Sequence, residues 1–149
     1  MKILNYHREV TSNEYKVLSK AKTKLRVKKM HQFKELKVWQ KGRELVKEIY
    51  KSTHKFPQDE LFGITSQMRR SAVSIPTNIA EGCSRNSDNE LNRFLDIANG
   101  SAFELETLVI LSFDLEFYSQ EEFEFFDSKL NEIQKMIFGL KQSLLKSHN

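Results

Sequence analysis

Gln67-Met68-Arg69-Arg70-Ser71-Ala72-Val73-Ser74-Ile75-Pro76-Thr77-Asn78-Ile79-Ala80-Glu81-Gly82 is the stretch on which the fold turns. At about 100° per residue, Ile64, Met68, Ala72, Ile75 and Ile79 fall on one side of a helix. Gln67, Arg70, Ser74, Asn78 and Glu81 fall together on roughly the opposite side. A solvated helix face usually carries scattered long Lys and Glu side chains. This one carries hydroxyls and amides flanked by Arg and Glu, a pattern expected of a second contact surface. Pro76 has no N–H for Ala72, so a kink or local irregularity is expected there. Gly82 is the expected C-terminal stop.

Outward from this helix, the polar run Ser84–Asn89 offers Ser87 or Asp88 as the cap of a third helix over about 89–113. Phe94, Ile97, Ala98, Ser101, Leu105, Leu108, Val109 and Ser112 mark its inner side. Arg93, Gly100, Ser101 and Glu104 share another side, and Gly100-Ser101 should allow close helix approach. A connection over 114–118 leads to Ser119, which opens a capping box with Glu122. The fourth helix, over about 120–145, has the stripe Phe123, Phe126, Leu130, Ile133, Ile137, Leu140 and Leu144. Upstream, a first helix over about 34–53 carries Leu36, Trp39, Leu45, Val46, Ile49 and Tyr50. Phe56-Pro57 ends that region, and Asp59 is the expected cap of the second helix. Short connections between long helices force antiparallel neighbours. The fold expected is all-α, an antiparallel up-down-up-down four-helix bundle over 31–146 with an extra basic N-terminal arm over 1–30.

Composition agrees. Only 5 Gly and 2 Pro occur in 149 residues, and 11 Phe supply aromatic anchors. The single cysteine, Cys83, cannot form an internal disulfide. No apolar run approaches the ~20 residues of a membrane span and no secretory leader is evident, so a cytoplasmic protein with no membrane partner is expected. Residues 1–29 hold nine basic and two acidic side chains, a net of +7. Residues 30–93 hold 11 and 8, a net of +3, and residues 94–149 hold 4 and 10, a net of −6. In the arm, Ser12 can cap a short helix over about 13–27, but Tyr15, Leu18 and Leu25 offer little surface to bury. Met30 stands where the bundle pattern begins and is an alternative start.

The residues Phe33-x-x-Leu36-x-x-Trp39, Phe56-Pro57-x-x-Glu60, Gln67-x-Arg69-Arg70-x-x-x-Ser74-Ile75-Pro76-x-Asn78-Ile79-Ala80-Glu81-Gly82, Arg93-Phe94 and Ala98-x-Gly100-Ser101-x-x-Glu104 resemble the 23S rRNA intervening-sequence four-helix-bundle proteins. The resemblance covers about 31–145. It implies a homopentameric ring of antiparallel bundles without enzymatic activity. It also implies a link to accessory variability proteins of diversity-generating retroelements, which bind nucleic acid and a reverse transcriptase.

Catalytic and metal chemistry finds no foothold in the pattern. His7, His31, His54 and His148 are far apart and share no helical face, and no metal-ligand spacing occurs. Arg26-x-x-x-x-His31 matches a loose RNase signature but sits at the arm junction. Ser52-x-x-Lys55 and Ser143-x-x-Lys146 lie at helix ends without an oxyanion site. There is no phosphate loop. No cofactor is expected. The candidate nucleic-acid-binding residues are Lys34, Lys37, Lys41, Lys47, Lys51 and Arg69, for structured RNA or DNA. The candidate subunit interface or polar network is Gln67, Arg70, Ser74, Asn78, Glu81, Arg93, Ser101 and Glu104. That second group is open to three readings: a subunit interface, an internal network, or a ligand or nucleic-acid site. Phe123, Phe125, Phe126 and Phe138 form either core or a partner groove. The function expected is a non-catalytic homo-oligomeric accessory protein that binds RNA, with a protein-partner adaptor, for example for a reverse transcriptase, as the alternative.

Overall fold

The computed structural model describes residues 32–146 together with Asn13, Lys16, Val17, Ser19 and Lys20, which are helical. The rest of the arm, including the cap at Ser12, Met30 and the Arg26/His31 pair, lies outside the described residues. Four long helices form the body: α1 (Lys37–Ser52), α2 (Ile64–Ser84), α3 (Asp88–Asp114) and α4 (Gln120–Lys146). Single 3₁₀ turns occupy Phe33–Glu35, Thr53–Lys55 and Gln58–Glu60. No strand occurs among the described residues. Each helix packs on its sequence neighbours and α4 returns to α1, which closes the expected four-helix bundle.

One apolar stripe from each helix fills the centre. Leu45, Ile49, Met68, Ile75, Ile79, Leu95, Leu105, Leu130, Ile133 and Ile137 are fully buried. Val38 and Gly42 join the α1 stripe, while Tyr50 turns outward beneath Arg69. Ile97, expected on the inner side of α3, is 42% exposed; Leu95 and Ala102 take the inward positions instead. A real helix buries the arc set by both neighbours; Ala98, Ser101, Leu105, Leu108, Val109 and Ser112 lie within it as expected, and Ile97 falls outside its edge.

Helix ends follow local chemistry. Ser87 Oγ accepts from the Glu90 N–H at 3.1 Å. Ser119 and Glu122 form the reciprocal capping box, at 2.9 and 3.3 Å. The start of α2 corrects the expectation at Asp59: the helix begins five residues later, and the Glu60 carboxylate accepts the Ile64 N–H at 3.2 Å. Glu60 folds back so closely that a Cβ on Gly63 would meet its carboxylate oxygen at 2.5 Å. Gly82 is also corrected. The helix passes through it to Ser84, and Gly82 is instead a point of close packing. A Cβ there would lie 2.8 Å from Phe94 Cβ and 2.9 Å from Leu91 Cδ1. Helix α2 also runs unbroken across Pro76, whose buried ring faces Gly42 of α1. At the end of α3, Glu116 takes a left-handed φ of 60°, with Phe117 N–H on Ser112 O and Glu116 N–H on Phe113 O. These are the paired bonds of a Schellman stop.

At that end of the bundle, Phe56, Phe117, Tyr118 and Phe126 form an aromatic plug with ring centroids 5.0–5.2 Å apart. Tyr118 is buried and its hydroxyl lies 2.6 Å from Ser52 Oγ. Burial pushes the phenol up to about 12; the Ser52 hydrogen bond opposes this and the Glu122 charge adds to it.

Candidate nucleic-acid and subunit interfaces

The six basic candidates do not form one patch. Lys34, Lys37, Lys47 and Lys51 are exposed and enter no ion pair among the described residues. From Lys37 to Lys51 they fall within roughly one third of the α1 circumference, opposite Leu45 and Ile49. Glu44 and Glu48 share that arc, so it is a mixed face with a basic excess. Lys41 leaves the group: its Nζ lies 3.5 Å from Glu132 on α4. Arg69 leaves it too. Its Nε donates to Thr53 Oγ1 at 3.0 Å, and its guanidinium lies 5.0 Å over the Tyr50 ring.

The polar stripe divides into an inner and an outer part. Inside, Ser74 Oγ and Ser101 Oγ meet at 2.8 Å across the α2–α3 seam. Asn78 Nδ2 donates to Ser74 Oγ at 2.9 Å and to Ser74 O at 2.8 Å. Ser101 also lies 3.0 Å from Ile97 O. Gly100 corrects an expectation: it points away from the seam, a Cβ there would meet nothing within 4 Å, and only Ser101 makes the close approach.

Outside, Gln67, Arg70, Glu81, Arg93 and Glu104 are exposed. With Ser74 level with Ser101 in an antiparallel pair, Arg70 stands level with Glu104, and Glu81 with Arg93. Neither opposed pair closes. Glu81 pairs instead with Arg85 one turn along, and Arg70, Arg93 and Glu104 enter no ion pair among the described residues. Between these charged ends lie exposed Val73 of α2 and Ile97 of α3, and Leu111 continues that side of α3 beyond Glu104. Phe103 and Ile110, also exposed, fall on the other side of α3, where Asp96 and Glu106 reach Lys141 and Gln134 of α4.

Sequence reasoning passes over this apolar surface, although the signal is present. Helix α3 carries Phe103, Ile110 and Leu111 in addition to a complete inward stripe, and a helix apolar on more than one side has more than one face to bury. On α4, Phe126 is core, Phe123 is partly covered by Phe113, and Phe125 and Phe138 are 44% and 63% exposed. The core reading therefore holds for Phe126, and Phe125 and Phe138 lie outside the core.

Among the described residues no group of three or more His, Cys, Asp or Glu is placed to hold a metal ion. Burial pushes the lone Cys83 thiol up, away from the reactive thiolate. No helix among the described residues is long and apolar enough to cross a membrane.

Comparison with known proteins places the chain. The model of the 23S rRNA-intervening sequence protein family matches residues 34–139. A crystal structure of a protein with unknown function from the S23 ribosomal protein family of Bacteroides thetaiotaomicron superposes with a TM-score of 0.64 at 27% identity, covering 70% of this chain and 97% of that one. No curated protein matches.

Proposed function

The chain belongs to the 23S rRNA-intervening sequence protein family, and on that premise we propose that it is a non-catalytic, homo-oligomeric accessory protein that binds structured RNA. The observation that carries the proposal is the outer α2–α3 surface. Exposed Val73 and Ile97 lie there between opposed charges that find no partner across the groove within the subunit, and Leu111 continues the apolar side of α3. An apolar patch with a charged rim is the composition of a protein interface. A second copy can cover the patch and complete the charge pairs, and a closed ring, the pentamer the family resemblance implies, repeats that contact without leaving an open edge.

Assembly in turn makes the weak basic face of α1 effective. Lys37, Lys47 and Lys51 of one subunit amount to little, but a ring presents the same three lysines several times to one RNA. Binding by such a surface is dominated by counterion release and falls steeply with salt. The experiment is light scattering on the full chain with and without structured RNA at two salt concentrations. The expected result is a single mass of about five subunits that grows with RNA at low salt only. Lys37→Gln/Lys47→Gln/Lys51→Gln should keep the ring and lower the salt slope. A monomer removes the interface assignment. A ring indifferent to RNA favours the second reading, a protein-partner adaptor such as a reverse-transcriptase accessory subunit, which the outward Phe125 and Phe138 of α4 support.

A further inference from the structure

A half-open cavity of about 210 Å³ lies where α1 runs out and α2 begins, lined by Thr53, His54, Phe56, Pro57, Gln58, Leu61, Thr65 and Arg69. Its charge is unbalanced. Arg69 is half-buried and enters no ion pair among the described residues, and no carboxylate lines the cavity. The nearest acid in sequence, Glu60, is turned to the Ile64 N–H. The arginine is also held in place. Its Nε is spent on Thr53 Oγ1, which itself donates to Ile49 O at 2.7 Å, and its plane is supported by Tyr50. That leaves the two terminal nitrogens as an unused, pre-oriented fork.

A second observation points the same way. Thr65 is 2% exposed, lines the cavity, and its hydroxyl has no hydrogen-bond partner. A buried hydroxyl left unpaired costs free energy, and the isosteric apolar side chain Val would avoid that cost. Thr65 sits in the first turn of α2, where the Glu60 carboxylate already accepts the Ile64 N–H, so the site draws on side-chain donors and not on the helix end.

We infer that this cavity is a binding site for a phosphoryl group. Its donors come from three separate elements: the Arg69 fork and the Thr65 hydroxyl on α2, His54 on the first 3₁₀ turn after α1, and Gln58 on the second. That arrangement suits a tetrahedral oxyanion better than a flat carboxylate. The volume is below the ~300–1,000 Å³ usual for a whole small molecule. The site therefore takes the phosphoryl end of a nucleotide, with Phe56, Pro57 and Leu61 against the adjoining sugar and the remainder in solvent. It stands apart from the α1 lysine face and does not rest on the RNA-binding reading.

The test is titration of the full-chain protein with inorganic phosphate, adenosine monophosphate, acetate, and a short RNA with or without a 5′-phosphate, followed by NMR shifts of residues 53–69. Saturable shifts with the phosphates and none with acetate are expected. Binding of phosphate and adenosine monophosphate alone identifies a free small ligand. Binding of only the 5′-phosphorylated RNA identifies a strand end. Arg69→Gln should weaken phosphate binding at least tenfold, and Lys37→Gln/Lys47→Gln/Lys51→Gln should leave it unchanged. Thr65→Val separates a ligand role from packing: it should raise the melting temperature of the free protein and weaken phosphate several-fold. No saturable shift with any phosphate, equal binding of acetate, or undiminished binding in either Arg69→Gln or Thr65→Val would overturn the assignment.

Discussion

The α2–α3 seam and the α1–α4 seam hold the same bundle together by opposite means. Between α2 and α3 the contact is the most extensive in the molecule and small residues make its closest approaches: Gly82 lies against Leu91 and Phe94, and Ser74 against Ser101. Short side chains let the backbones approach, so hydroxyls meet directly, as Ser74 and Ser101 do. Between α1 and α4 the contact is the sparsest of the four seams, and long side chains reach across it, as in Lys41–Glu132 and, from the turn that ends α1, Lys55–Glu122. The first seam is fixed by volume and the second by flexible charge. Steric error is costly because a packed interior has no room to yield, whereas an exposed ion pair can be replaced by water.

The comparison predicts a graded response to substitution. Ile75→Ala should have the largest effect. Ile75 is fully buried and reaches α1, where its Cγ2 would lie 3.5 Å from a Cβ on Gly42. Truncation leaves a cavity, and a loss of about 2–5 kcal/mol is expected in urea unfolding. Gly82→Ala comes next, at about 1–3 kcal/mol, because one methyl meets both Phe94 and Leu91 closer than contact allows. A neutral Gly82→Ala would mean that α3 can slide and that the seam is not volume-limited. Gly100→Ala, eighteen residues later in sequence and open to solvent, is the matched control and should not destabilise.

This contrast between Gly82 and Gly100 also marks what a sequence can tell. The periodicity of α2 and α4, the capping box at Ser119 and the cap at Ser87 are local, and they are legible because spacing alone determines them. Both glycines mislead because their roles depend on the opposing helix. Gly82 resembles a stop but faces Leu91, and Gly100 resembles a contact but faces away. Asp59 fails as a cap for a related reason: Glu60 reaches the first helical N–H through a 3₁₀ turn that spacing does not foresee. Of the candidate sites, the serines and the Asn78 amide are recognisable as a polar pair of stripes. The apolar residues beside them are not, since Ile97 reads as inward and joins Leu111 on the outer side only once α2 is placed alongside.

Ser101→Ala tests the polar part of the tight seam at intermediate size. The substitution removes one hydroxyl from the Ser74 contact, but Ser74 Oγ keeps the Asn78 amide. A net loss of about 1 kcal/mol is expected, and the combination with Ser74→Ala should cost less than the sum of the single changes. Strict additivity in that double-mutant cycle would show that the two hydroxyls are not coupled.

The smallest effect belongs to the charged seam, and pH makes it separable. The Lys55 ammonium bonds both carboxylate oxygens of Glu122, at 2.5 and 2.7 Å, and lies 5.9 Å over the Tyr118 ring. Burial pushes the Glu122 carboxyl up, but the Lys55 bond and the backbone and hydroxyl bonds from Ser119 together outweigh it and hold the group below its ordinary value of 4.5. A carboxyl lowered by folding stabilises the protein above its unfolded value, and this contribution is lost as pH falls through the folded one. Glu122→Gln keeps an acceptor for the Ser119 N–H and removes only the charge. It should cost less than about 1 kcal/mol at pH 7, because both partners are substantially exposed. That cost should shrink with added salt and vanish on acidification below 4.5. A penalty that is larger, salt-independent and unchanged at low pH would place the α1–α4 seam in the same class as α2–α3, and the two seams would then differ in composition but not in kind.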